Sequence, residues 1–265
     1  MIPAAARRWL GAFTFLACLC AVAPVLVIVI ESFTSANYVA FPPPGLSVKW
    51  YLETIKRPEF VDSMIVSLAV ALGTSAASTA LGTLTAIALV RHSFRGRRML
   101  QSLFAMPLSL PGLIFGLALL QFITLRNLPV NGWAILVAHV VITMPFAIRF
   151  VSVALLGVSP SLELAARSLG ASPWRAFRLV TLPLIRPGIV ASLVFAFILS
   201  FDEVAASLFV STPTAMTLPV RIYVYIDQNY DPLITAISSV LVFAAAAALA
   251  VIEKTVGMGR LFGLK

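Results

Sequence analysis

Apolar residues run along this chain in long, nearly unbroken stretches rather than with a period of two or of 3.6, and about 20 such residues suffice to cross a hydrocarbon layer. Six stretches qualify: Trp9–Ile30, about Met64–Val90, Leu103–Leu125, Trp133–Leu156, about Pro187–Val210 and Leu233–Ile252. None shows the ten-residue alternating segments of a membrane β-barrel, so the pattern predicts an all-α, polytopic membrane protein with six transmembrane helices in one domain, 1–265. Within the third stretch Pro107 and Pro111, with Gly112 and Gly116 after them, predict a helix break that lines a cavity or is covered by protein. In the second, Ser78, Gly82 and Ala86 recur every four residues and predict close helix packing.

Polar residues between the stretches fall into two unequal sets. The N-terminus, the links after the second and fourth stretches and the C-terminal tail hold Arg7, Arg8, Arg91, Arg95, Arg97, Arg98, Arg167, Arg175, Arg178, Arg186, Lys254, Arg260 and Lys265 against Glu163 and Glu253, a net of +11. The remaining links hold five basic and six acidic residues, a net of −1. Lys and Arg are retained on the cytoplasmic side, so both termini are expected there. The first stretch is longer than the apolar core of a signal peptide and is read as an uncleaved span.

Composition sharpens the picture. Of 265 residues 60% are hydrophobic and only 11% charged, with a mean hydropathy of +1.02, which excludes a soluble globular domain, disorder, a coiled coil and a disulfide scaffold. The net charge of +9 is dispersed between apolar runs, so it records membrane orientation and not a nucleic-acid partner. Cys18 and Cys20 lie inside the first stretch on different faces and are read as packing residues, not a metal or redox pair.

The loops add chemistry. Link 31–60 carries Pro42, Pro43 and Pro44, and then Trp50, Leu52 and Ile55 among Lys49, Glu53 and Lys56, the pattern of a short helix anchored at the membrane interface; the alternative is a docking surface for an external protein. Asp202 and Glu203 are the only acids within a stretch, and Asp202 lies 15 residues beyond Pro187, about 22 Å, which puts the pair in the outer half of the fifth span. Charges at membrane depth default to function. One acid is expected to face a path while its neighbour pairs with a helix or caps a break, with Phe201 and Tyr223 or Tyr225 offering cation–π contact to a cationic substrate; the rival reading locks both acids against donors of a partner. His139 either lines the path or joins two helices through a hydrogen bond, and the second is preferred. Arg149 is placed to snorkel to the cytoplasmic interface. No phosphate-binding loop is present: of four lysines only Lys254 precedes a threonine, and Glu253 stands where glycine is required. The chain is therefore read as no enzyme, with energy from a partner or an ion gradient. No inverted repeat supports a self-sufficient secondary transporter.

The cytoplasmic link of about 158–183 is helical in pattern and ends in Leu182-Pro183. Its Leu164-Ala165-Ala166, three residues, Gly170, nine residues and Val180-Thr181-Leu182-Pro183 resemble the EAA loop of membrane subunits of ATP-binding-cassette importers. Two positions depart: Leu164 stands where that family has Glu, with Glu163 just before it, and Val180 replaces Ile. Glu31-Ser32-Phe33, Lys49-Trp50-Tyr51, Arg95-Gly96-Arg97, Ser200-Phe201-Asp202-Glu203 and Thr217-Leu218-Pro219-Val220 with Ile222-Tyr223 are similar to the second permease of polyamine importers; opine and aminophosphonate importers share much of this pattern. The resemblance implies a type I importer permease with the MetI-like fold in a bacterial inner membrane, translocating a small amine. It implies a coupling helix over Glu163 to Leu169, with Glu163, Leu164, Ala165, Ala166 and Gly170 against the ATPase. It further implies a second permease, two ATP-binding subunits that hold ATP and Mg, and a periplasmic solute-binding protein, with no cofactor in this chain.

Overall fold

The computed structural model describes residues 4–256. The side chains of Arg7, Arg8, Glu253 and Lys254, and all of Arg260 and Lys265, which enter the charge and lysine arguments above, lie outside the described residues. Twelve α-helices occur among the described residues, and the only extended pairing there is two isolated bridges, Thr34–Leu46 and Thr212–Ala215. In a hydrocarbon solvent every backbone N–H needs a partner in its own segment, and helices alone provide this without closing a barrel.

Four helices are long and apolar enough to cross a bilayer: Trp9–Glu31, Pro58–Arg91, Gly132–Leu156 and Pro173–Asp202. They belong to α1 (Ala4–Glu31), α3 (Pro58–Arg91), α6 (Gly132–Leu156) and the stretch ending in α9 (Leu182–Asp202). The expected third span is broken. Helix α4 (Arg97–Ala105) with a 3-10 turn at Met106–Ser109 meets α5 (Gly112–Leu125) at 106°. Pro107 and Pro111 lack the N–H that would continue the ladder, and Pro111 holds Leu110 extended, at φ −96 and ψ 130. The sixth expected span falls in α12 (Leu233–Val256), whose described apolar stretch, Leu233–Ala247, is shorter than a crossing. The described residues thus hold four spans, or five counting the bent pair, against the six expected.

The fifth span differs from expectation at both ends. Rather than restarting at Pro187, the helix runs from α8 (Pro173–Ala176) through a π-helical turn at Phe177–Thr181 into α9, with Pro187 inside it. The Leu182 N–H reaches Phe177 O across the wider i−5 turn, and Pro183 follows in the first turn of α9, where its missing N–H costs little. At the other end α9 stops at Asp202, not at Val210. The chain leaves in extended conformation at Glu203 and forms a separate short helix, α10 (Ser207–Val210).

Two compact units are present. The larger spans Asp62–Arg221, and small residues let its helices approach closely. A β-carbon at Gly82 would lie 2.6 Å from that of Ala147, and one at Gly188 would lie 2.5 Å from that of Ala154 and 2.9 Å from Phe150 O. Ser78 and Ala86, of the predicted packing stripe, are buried. Hydroxyls complete the seam: Thr79 and Ser192 bond at 2.8 Å, and Ser75 donates to Leu193 O at 2.7 Å. Gly188→Val is expected to destabilise this unit by about 1–3 kcal/mol through overpacking of α6 against α9. The check is a thermal-unfolding series in detergent, with Val190→Ala, at a half-buried site two residues on, as the mild control.

The smaller unit joins Met1–Val61 to Ile222–Lys265. The carboxylate of buried Glu31 accepts the Ala40 N–H at 2.8 Å. A chain of hydroxyls, Ser32–Tyr51–Ser239, ties the end of α1 to α2 (Lys49–Ile55) and α12 at 2.6 Å per link. The expected interfacial helix is present as α2, with one correction. Trp50 is only 8% exposed and donates its indole N–H to Ala36 O at 3.1 Å, so it anchors the preceding loop while Leu52 and Ile55 remain outside.

Candidate functional site: a coupling loop and a membrane corner

The loop after α6 is ordered by local rules. Ser159 caps α7 (Pro160–Ser168), with Pro160 in the first turn, where its missing donor is harmless. The helix closes on Gly170 at φ +88, with Gly170 N–H to Arg167 O at 3.0 Å and Ala171 N–H to Ala166 O at 3.1 Å. This pair of bonds is the Schellman closure, which demands a left-handed residue just past the last helical one. Ser172 then caps α8 through the Arg175 N–H, again with proline next. The implied coupling helix, Glu163 to Leu169, coincides with the last two turns of α7 and its cap.

Its side chains divide by direction. Leu164 is 60% exposed, Leu169 90% and Trp174 68%; Ala165 is exposed and Ala166 half-buried. Arg167, Arg175, Arg178 and Arg186 are exposed as well. Glu163 turns the other way and accepts a hydrogen bond from the hydroxyl of buried Thr181, in the π turn. The acid beside the motif therefore braces α7 against the base of α9 instead of facing outward. Arg91, at the end of α3, donates to Val158 O at 3.0 Å and holds the loop's origin.

The second feature is the corner at the end of α9. With 21 residues α9 is about 31 Å long, so Asp202 stands at its far end and not partway along a longer span. Asp202 is exposed, and no hydrogen bond or ion pair reaches its carboxylate among the described residues. Glu203, half-buried, bends back to accept the Ala206 N–H at 2.8 Å and so caps the break. The start of α5 lies against this turn: a β-carbon at Gly116 would come within 2.7 Å of the Ala206 backbone, and one at Gly112 within 3.6 Å of Glu203 Oε1. Those two glycines, expected beside a proline break, are what allow α5 to abut the corner. The Phe201 ring stacks on Phe197, with centroids 6.0 Å apart.

Phe201, Asp202 and Glu203 are thus adjacent in the larger unit, whereas Tyr223 and Tyr225, on α11 (Leu218–Gln228), fall in the smaller one. Tyr223 is exposed. Tyr225 is engaged: its hydroxyl donates to Asp231 at 2.6 Å and accepts from Arg57 at 3.1 Å, whose guanidinium lies over the ring at 5.4 Å. Burial and the Asp231 carboxylate push the Tyr225 phenol up to about 12. The ring face expected to receive a substrate cation already carries an internal one. His139 bonds Ser200 and Ser207, so the preferred helix-joining role is present, though with two partners at once.

Residues 78–256, more than half of the chain, match the family described as binding-protein-dependent transport system inner membrane component. The chain belongs to that family. It is the permease component of an ATP-binding-cassette importer. This permease is 34% identical to the putrescine transport system permease protein PotI of Escherichia coli K12, over 88% of its own length and 83% of the relative's. It is 29% identical to the spermidine/putrescine transport system permease protein PotC of Shigella flexneri, over 89% and 91%. Its fold matches a bacterial transporter involved in the import of the acidic polysaccharide alginate, with a TM-score of 0.76 at 17% identity, over 97% of this permease and 99% of that chain. The expected all-helical, MetI-like permease fold is what is found, and the matched range includes both the loop after α6 and the corner.

Proposed function

We propose that this permease imports a small polyamine, handed over by a periplasmic solute-binding protein, through a path shared with a second permease and driven by two ATP-binding subunits that hold ATP and Mg. The observation that carries the substrate class is Asp202. A carboxylate without a partner among the described residues ends a 21-residue apolar helix, where the last carbonyls lack intrahelical donors and the helix dipole is negative. An ammonium group is the natural complement to that end, and the Phe201 ring beside it adds cation–π attraction. The names of the two relatives, for putrescine and spermidine, agree with this chemistry. Coupling is assigned to α7, where exposed Leu164, Ala165 and Leu169 form the gripped face, Ala166 permits close approach and Gly170 fixes the turn. Glu163 acts from behind through Thr181. Both termini lie in the cytoplasm of a bacterium, with this multi-pass chain in its inner membrane.

The test is uptake of radiolabelled putrescine into vesicles holding the complete importer, with ATP inside or outside. ATP-dependent accumulation competed by spermidine is expected. Preferential uptake of an aminoethylphosphonate or an opine would replace the amine assignment, and uptake by this chain alone, without ATP-binding subunits, would overturn the coupling assignment.

A further inference from the structure

Three polar side chains meet in the interior of the larger unit. His139 of α6 has no exposed surface, and Ser200 of α9 and Ser207 of α10 are buried with it. His139 Nδ1 and Ser200 Oγ are 2.7 Å apart; His139 Nε2 and Ser207 Oγ are 2.6 Å apart. The two serines flank the break at Glu203, one in the last turn of α9 and the other opening α10. A single rigid ring therefore spans both sides of the corner. Each serine hydroxyl both donates and accepts, so both bonds form whichever ring nitrogen carries the proton. Moving either flank away would orphan a ring nitrogen at a buried position, which costs far more than the bond gains at a surface. The Glu203 cap on Ala206 and the backbone contact at Gly116 confine the same turn from other sides.

We propose that His139 is the positioning residue of the corner, binding α10 to α9 so that Asp202 is presented at a fixed place and the turn travels with α6 and α9 as one piece. The inference rests on the reading of Asp202 as the amine-facing acid. Ser200→Ala cuts the clamp on the α9 side and Ser207→Ala on the α10 side, each with minimal loss of volume; His139→Leu removes both bonds.

In the complete importer in lipid nanodiscs, backbone amides of 203–211 are expected to exchange hydrogen at least tenfold faster in Ser200→Ala, Ser207→Ala and His139→Leu, with amides around Ser192 unchanged. His139→Gln, which keeps a donor near the Nε2 position, is expected to exchange more slowly than His139→Leu. For putrescine uptake, KM is expected to rise at least fivefold in both serine variants, with Vmax and basal ATP hydrolysis within twofold of the unaltered importer. Wild-type exchange in Ser207→Ala would overturn the clamp. Faster exchange with an unmoved KM would reduce His139 to packing and overturn the positioning role. If the unaltered importer takes up no putrescine, the amine assignment falls, and the exchange measurement still judges the clamp.

Discussion

Gly170→Val is expected to leave the importer assembled and to reduce its substrate-stimulated ATP hydrolysis to a tenth or less. Apart from its own residue and its chain neighbours, nothing among the described residues lies within 4 Å of where a Gly170 β-carbon would stand, so the substitution creates no clash and the membrane helices are unaffected. What it opposes is the backbone at φ +88. An ordinary residue held left-handed costs about 1–2 kcal/mol, and a β-branched one is the worst tolerated. The strain is relieved most easily by opening the two closing bonds at Arg167 and Ala166, which swings Leu169 and the end of α7 away from the face they share with Leu164 and Ala165. A graded series decides the matter. Asparagine, which tolerates the left-handed region, is expected to retain most stimulation, alanine less and valine little, at equal amounts of assembled complex on a sizing column. Full stimulation in the valine variant would remove α7 from the coupling role.

Asp202→Asn is expected to slow putrescine uptake at least tenfold while changing neither insertion nor basal ATP hydrolysis. The substitution keeps the shape and deletes one charge; at about 4 Å from an ammonium that charge is worth between about 1 kcal/mol in water and about 4 kcal/mol near a protein surface. Glu203→Gln provides the contrast, because its amide oxygen still accepts the Ala206 N–H and holds the turn. It is expected to be the milder of the two, whereas Glu203→Ala frees the turn and is expected to be the harsher change at that position. Equal uptake in Asp202→Asn and the unaltered importer, measured across a range of putrescine concentrations, would leave Asp202 as scaffold.

Much of the framework was legible because it depends on local chemistry. Helix α6 begins after Asn131, whose side chain accepts the Trp133 N–H, and ends before Gly157, within a residue of the apolar run that predicts it. The break around Pro107 and Pro111 follows from missing donors, and the small-residue stripe of α3 packs as its spacing requires. Other features depend on hydrogen-bond register, which an apolar pattern does not encode. The helix runs through a π turn at Phe177–Thr181 and on past Pro183 and Pro187, so the expected restart at Pro187 is not the origin of the span. Trp50 reads as a membrane anchor by type and is an internal donor in fact, because its acceptor, Ala36 O, is fourteen residues away in an irregular loop. The contribution of Ser200 and Ser207 went unread, although a serine on either side of the acid pair within an apolar run is a visible sign that something polar sits opposite. Tyr225 was legible as an aromatic partner for a cation, but not that Arg57 already fills the place.

The inward turn of Glu163 reaches beyond this chain. With its carboxylate engaged by Thr181, the loop offers no outward acid: exposed Leu164, Leu169 and Trp174 stand among Arg167, Arg175 and Arg178. A well-matched motor must answer with an oily socket rimmed by carboxylates. One shaped for an outward glutamate would bring a stranded cation to Leu164, so spare parts borrowed from a sister importer should seat poorly here.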